Sequence, residues 1–321
     1  MLLKVIPQSL APAFLPLGIL IAFFATYFAI EKCMPKMPRD HGKALAVEGA
    51  VSKGKATGVG MIFVTVFVIT ALLLAPISIE MALYLVLLLF CRLTGFLDDA
   101  AKTPWGRTIK GLLDLVVAGG TAGVYLYFHP PVFRLAYLQL DVTVPVWLYA
   151  LLIIALVWGS INVTNCTDGV DSLSATLSII TLFSFYAVIT ARGVGTEFGP
   201  HILLFVAALA AYLWYNAPPS TALMGDAGSR AIGYFIALAA LMCGSPLLYL
   251  SFALVIILDG GLGLFKITVI RLTKKKNFMN RIKTPLHDHA RKNLHWEGSQ
   301  VLVRFAALQL LASLLTVSLI R

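Results

Sequence analysis

A chain of 321 residues that is 59% hydrophobic and 12% charged, with a mean hydropathy of +0.88, is not a soluble globular domain, in which about 25% of residues carry charge. Its apolar runs approach 20 residues, which excludes a barrel of short alternating strands and indicates an all-α polytopic membrane protein. The net charge of +10 accords with membrane topology and anionic lipid contact rather than with a nucleic-acid partner.

The first 13 residues hold Lys4, Pro7 and Pro12 and do not read as a cleavable signal peptide. About ten membrane-spanning segments follow in a single domain over 1–321, at roughly 14–33, 57–76, 78–96, 111–128, 146–162, 170–190, 201–216, 230–244, 246–270 and 301–320. Loops 34–56, 97–110, 163–169, 217–229 and 271–300 carry most of the Lys and Arg, whereas the other side holds only Lys4, Arg134, Arg192 and Arg321. This asymmetry puts the five loops in the cytoplasm and both termini outside. The outer segment 129–145 alternates apolar and polar residues and reads as a short hairpin. In the ninth segment, Gly260, Gly261 and Gly263 interrupt the apolar run, which predicts a broken helix. Cys33, Cys91, Cys166 and Cys243 lie in or beside apolar runs at no metal-binding spacing and read as packing residues.

The polar residues concentrate on the cytoplasmic side. Loop 97–110 begins with Asp98 and Asp99 and holds Lys102 and Lys110. The fifth segment ends in NVTNCTDGVD, with Asn162, Asn165, Asp168 and Asp171. Asn216 precedes PPSTALMGDAGS, which contains Asp226, and PLHDHARKNLHWEG supplies His287, Asp288, His289 and His295. Each piece alone has a plainer reading: a solvated helix end, a turn, a loop in which Ser229 or Asp226 caps the eighth segment, or surface histidines. Their convergence on one side indicates a cytoplasmic-face cleft, while Glu80, Asp141, Glu197, His129 and His201 on the outer side form no cluster. Carboxylates with amide oxygens suit a hard cation such as magnesium, and lysines balance phosphate charge. Together they point to phosphoryl transfer between a soluble and a lipid-embedded substrate. Asp114 and Asp259 are intramembrane acids, which are functional or paired.

The pieces GFLDDAAK, NVTNCTDGVDSLS, NAPPSTALMGDAGSRAIG and PLHDHARKNLHWEGSQVLVRF, in this order and spacing, resemble the bacterial phospho-N-acetylmuramoyl-pentapeptide transferases (MraY), within the polyprenyl-phosphate N-acetylhexosamine-1-phosphate transferase superfamily. PRDHG at 38–42 and VLVRF at 301–305 favour this branch. The resemblance implies that undecaprenyl phosphate attacks the β-phosphate of UDP-N-acetylmuramoyl-pentapeptide, giving lipid I and UMP, with Mg2+ required. It also implies a multi-pass enzyme of the bacterial plasma (inner) membrane, and a homodimer. By motif, Asp98 and Asp99 match the catalytic acid pair and His287 the first histidine of the family's histidine motif. Asp226 matches the magnesium-binding aspartate, with Asp168 a second metal candidate. Asn162, Asn165, Asp168, Gly169 and Asp171 match the stretch that shapes the nucleotide and metal site. Asn216 matches a cleft asparagine, and Lys102 and Lys110 match basic residues near the phosphates.

Four departures stand out. His287-Asp288-His289 replaces three consecutive histidines. GKATGVG at 54–60 replaces GTPTMGG, so the nucleotide-site lysine is Lys53 or Lys55, with Lys53 preferred and one residue deleted after it. Leu223 stands where the family has phenylalanine, and Asp259 where it has glutamate. Two rival functions follow: a related transferase using another donor such as UDP-GlcNAc, and an ion-coupled transporter working through Asp114 and Asp259. For the transferase, a direct attack assisted by Asp98 is preferred over a covalent aspartyl intermediate, because phosphoryl transfer depends on positioning and electrostatics.

Overall fold

The structure, a computed structural model, describes residues 11–40, 42, 52–275 and 277–320. Lys4, Lys43, Lys276 and Arg321, used above for orientation, and His41 of PRDHG lie outside the described residues. The helices are α1 (Ala11–Cys33), α2 (Gly60–Leu74), α3 (Ile79–Asp99) and α4 (Arg107–Phe128), then α5 (Val146–Thr167), α6 (Leu173–Arg192), α7 (Gly199–Asn216) and α8 (Gly225–Met242). A bent pair, α9 (Pro246–Phe252) and α10 (Leu254–Thr273), follows, then α11 (Leu286–Asn293) and α12 (Gly298–Leu319). Each apolar segment drawn from the sequence holds a helix. Among the described residues, seven helices are long and apolar enough to cross a membrane, eight if the bent pair is one span. Helix α2 is shorter, at 15 residues.

Helix α8 is the axis of the bundle. Every residue from Ala227 to Leu241 is buried, as expected of a helix that is apolar all round below a polar first turn. Its neighbours approach at glycines. A Cβ on Gly60 would lie 2.1 Å from Gly228 N, one on Gly95 2.4 Å from Asp226 O, and one on Gly233 2.5 Å from Ser160 O. These contacts bring α2 and α3 against the turn that carries Asp226, and α5 against α8 about two turns further on.

The ninth segment is broken, as the sequence predicts, but not at its glycines. The two halves meet at 72° around Ala253, where φ is −111° and ψ is 22°. Gln309 of α12 satisfies the interrupted backbone: its Oε1 accepts from Val255 N at 2.9 Å and its Nε2 donates to Phe252 O. Thr181 Oγ1 also donates to Phe252 O, at 2.7 Å. An inserted polar side chain thus causes the bend. Gly260 instead permits close packing in a π-helical turn at Ile257–Gly261, where a Cβ would come within 2.1 Å of Val163 O.

Between α4 and α5, β1 (Val132–Leu135) and β2 (Leu140–Thr143) form the expected hairpin, pairing Val132 with Thr143. At the same end of the bundle, Glu80 and His129 do meet, contrary to the sequence reading of scattered groups. His129 Nε2 is 2.7 Å from Glu80 Oε1, which also accepts from Tyr84 Oη at 3.0 Å.

Candidate active site

Adjacent residues on a helix point about 100° apart, and Asp98 and Asp99 use that difference. Asp98 is 7% exposed; its Oδ1 accepts from Trp105 N at 2.6 Å and its Oδ2 pairs with Lys110 Nζ. Asp99 turns to the start of α8, where Oδ1 accepts from Asp226 N at 2.9 Å and Oδ2 from Ala227 N at 3.0 Å. The cap of this helix therefore comes from α3, not from Ser229 or Asp226 as the local sequence suggests. Ser229 Oγ instead donates to Gly225 O at 2.9 Å. Gly225 holds φ at +65°, and a Cβ there would stand 2.4 Å from Asp99 Oδ2, so the turn needs glycine on both counts.

Lys110, on the first turn of α4, donates to Asp226 Oδ2 at 2.9 Å as well as pairing with Asp98. One ammonium thus joins two carboxylates from separate helices. One turn deeper, Arg230 Nε donates to Asp114 Oδ1 at 3.0 Å, and Asn162 Nδ2 donates to Asp114 Oδ2 at 3.3 Å. Asn165 Nδ2 donates to Ser229 Oγ at 3.1 Å.

At the end of α5, half-buried Asp168 is the C-cap residue, and Gly169 leaves room for His287. A Cβ on Gly169 would lie 2.3 Å from His287 Nε2. His287 is buried and Asp259 is fully buried. The two are joined twice: His287 N donates to Asp259 Oδ1 at 2.7 Å, and Nδ1 lies 2.9 Å from Oδ2. Each intramembrane acid singled out in the sequence therefore has a partner. Asp288 pairs with Lys292 at 2.9 Å and lies 3.9 Å from His287 Nε2. His289 Nδ1 accepts from Lys283 N at 3.3 Å.

A third group forms around α7 and the segment before α8. Asp171 accepts from Ser220 N at 3.1 Å and Oγ at 2.8 Å. Lys55 Nζ donates to Ser220 Oγ at 2.9 Å and lies 3.7 Å from Asp171. Lys53 and Lys102 are exposed on their loops, so Lys55 is the lysine that this network includes. Asn216 is a clip: Oδ1 accepts from Ser172 N at 2.8 Å and Nδ2 donates to Ala222 O at 2.8 Å. It holds Ser172 in the left-handed region at φ +66°. Leu223, half-buried, joins the 54–60 loop to the loop of Asp226: its N donates to Ala56 O at 2.7 Å.

No group of three or more Asp, Glu, His or Cys side chains is gathered around one point among the described residues. The donor chemistry nonetheless fits magnesium, which takes one or two carboxylates and completes its shell with water and phosphate oxygens. Asp98 and Asp226 already converge on one cation, the Lys110 ammonium. Sequence reasoning missed the partners more than the residues. Arg230, Ser220 and the Trp105 amide carry no signal of their own, since a buried arginine is recognisable only once its acid is beside it.

Comparison with known proteins places the chain in a family. Residues 81–244, from α3 to the end of α8, match the family described as Glycosyl transferase family 4. The phospho-N-acetylmuramoyl-pentapeptide-transferase of Treponema pallidum (strain Nichols) is 40% identical over 316 residues, covering 93% of this chain and 86% of the relative. Proteins of the same name from Staphylococcus aureus (strain bovine RF122 / ET3-1) and Helicobacter pylori (strain J99 / ATCC 700824) are 29% and 26% identical, over 92% and 93% of this chain and 96% and 91% of theirs. The chain belongs to the phospho-N-acetylmuramoyl-pentapeptide transferase family.

Proposed function

We propose that this protein transfers phospho-N-acetylmuramoyl-pentapeptide from its UDP-linked donor to undecaprenyl phosphate, producing lipid I and UMP for peptidoglycan synthesis. The observation that carries the reading is the meeting of Asp98 and Asp226 on Lys110, beside the helix terminus capped by Asp99. Asp98 orients the lipid phosphate or accepts its proton. The phosphate oxygen then forms a bond to the β-phosphorus while the bond from that phosphorus to UMP breaks in line. Lys110 offsets charge on the phosphates, and Asp99 holds the turn that presents Asp226. Asp226, with Asp168 as a second carboxylate, would hold magnesium, which when bound would further neutralise the diphosphate. His287, oriented by Asp259 and packed on Gly169, and Lys55, Asn165, Asp171 and Leu223 surround the nucleotide. Exposed Lys53 and Lys102 contribute at longer range.

The acceptor's hydrocarbon tail has an apolar route. A cavity of about 340 Å³ lies between α5 and the bend of α9 and α10, lined by Leu152, Ile153, Leu156, Gly159, Val163 and Leu250 among others. Val163, in its lining, is five residues before Asp168 on α5. The reading includes ten spans, both termini outside, the cleft on the cytoplasmic face of the inner membrane and a homodimer. The excess of Lys and Arg in the loops around Asp98, Asp226 and His287 supports that orientation.

The test is UMP release by the purified protein with undecaprenyl phosphate and either UDP-N-acetylmuramoyl-pentapeptide or UDP-GlcNAc, with and without magnesium. Release only with the pentapeptide donor and magnesium is expected, and release only with UDP-GlcNAc would move the assignment to the rival donor. Asp98→Asn and Asp226→Asn should each abolish turnover; full activity of either would overturn the site assignment.

A further inference from the structure

Two ion pairs join α4 to α8, one turn apart and of opposite polarity. Lys110 and Asp114 are four residues apart on α4, as are Asp226 and Arg230 on α8, so each couple shares one helix face. The outer pair, Lys110 with Asp226, belongs to the site described above. The inner pair, Asp114 with Arg230, does not: each residue is only 2% exposed. Asn162 of α5 donates to the same Asp114 carboxylate.

Such a pair is a poor way to gain stability. Replacing a buried ion pair by apolar side chains of similar volume is often neutral or stabilising, because desolvating two charges costs as much as their attraction returns. Here the balance is poorer still, since Arg230 Nη1 is buried with no hydrogen-bond partner among the described residues. What the pair does provide is register. Helix α4 packs against α3 and α5 and reaches α8 through side chains, including Tyr125 Oη to Leu241 O at 3.5 Å. The contacts run in parallel order along both helices, Lys110 to Asp226, Asp114 to Arg230 and Tyr125 to Leu241. A slide of one turn, about 5.4 Å, would bring Lys110 to Arg230 or Asp114 to Asp226, and like charges would face each other. The reversed polarity of the two pairs therefore admits only one alignment.

We infer that Asp114 and Arg230 are positioning residues: their buried pair fixes the register of α4 against α8, and so holds the Lys110 ammonium between Asp98 and Asp226. This rests on the functional reading above only for its consequence on turnover. Asn162 acts in the same layer, which assigns it to alignment as well as to the cleft.

The experiment uses the full-length protein in detergent and the double variant Asp114→Leu/Arg230→Met, which replaces both charges by apolar groups and leaves no buried charge unpaired. Lys110 and the exposed Lys102 are acylated by an amine-reactive reagent, and the ratio of their labelling is read by peptide mass spectrometry alongside the unfolding temperature. The expected result is an unfolding temperature close to the parent's with a several-fold higher Lys110-to-Lys102 ratio. UMP release should show kcat lower by about 10-fold or more, as misplacement of a reacting group produces, with KM for the UDP-linked donor nearly unchanged. Phe185→Leu, which loosens the core where Phe185 packs on Phe252, should lower the unfolding temperature without moving the ratio. An unchanged ratio in the folded double variant overturns the inference. If the parent releases no UMP, the functional reading fails while the labelling ratio still decides the register. Arg230→Lys, which retains the charge, should move the ratio in the same direction by less, and it decides the matter in the same way if the double variant does not accumulate.

Discussion

The carboxylate of Asp99 accepts the backbone N–H groups of both Asp226 and Ala227, at 2.9 and 3.0 Å. These are the second and third residues of α8, the positions that a helix cap serves, and the negative charge suits the positive end of the helix. The end of α3 is thereby fastened to the start of α8, and the Asp99 carboxylate supports the backbone of Asp226.

Asp99→Asn tests this directly. An amide offers one oxygen where two N–H groups need acceptors, so a donor would face a donor. Loss of a cap costs about 1 kcal/mol, and the unfolding temperature in detergent should fall accordingly. Turnover should fall further, because Asp226 moves with the turn. Gly225→Ala should have at least the same effect, from positive φ and the collision with Asp99 together. Parent-like melting and UMP release in both variants would show that the cap does not position Asp226.

The order of the apolar helices was legible in the sequence because a long apolar run is a local property. So was the collection of acids, since the basic-residue asymmetry sorted the loops without reference to them. Directions and partners were not. Nothing in FLDDAAK says that Asp98 faces Lys110 while Asp99 faces the start of another helix. Gln309 lies 54 residues from Val255, so the glycines at 260, 261 and 263 attracted the prediction of a break that an inserted amide makes at Ala253. Asp114 stood out as a lone intramembrane acid because its arginine is 116 residues away.

Lys110→Met should be nearly inactive. It removes the ammonium that lies against both Asp98 and Asp226, leaving two carboxylates without their shared cation. Removing one charge-stabilising group from an active site lowers kcat by about 10²- to 10³-fold. UMP release at saturating donor measures this, and a fall of less than about 10-fold would place Lys110 outside the transition-state charge network.

Lys53→Ala and Lys55→Ala should separate. Lys55 bonds Ser220 and faces Asp171, whereas Lys53 is exposed. The Lys55 variant should raise KM for the UDP-linked donor by about 10-fold, the scale of one charge-assisted contact at about 1.4 kcal/mol, while the Lys53 variant stays near the parent. The reverse order would assign the nucleotide lysine to Lys53.

Chelation by EDTA should stop UMP release, and magnesium or manganese should restore it. Oxygen donors at Asp226 and Asp168 favour these hard cations over softer ones. Activity that survives exhaustive chelation would remove the metal from the proposal.

Gly169→Ala isolates the histidine. The new methyl would lie 2.3 Å from His287 Nε2, while Asp259 holds the other side of the ring through Nδ1 and the backbone N–H. The imidazole has no room to retreat without breaking those bonds, so it must tilt or the end of α5 must shift. Displacing a positioned group by about 1 Å can cost about 100-fold in rate, and a loss of that order is expected with the fold retained. His287→Ala should lose a similar factor, and adding Gly169→Ala to it should cost little more, because the methyl then has no ring to meet. A double variant much slower than His287→Ala alone would show that Gly169 acts on the site by some route other than the histidine.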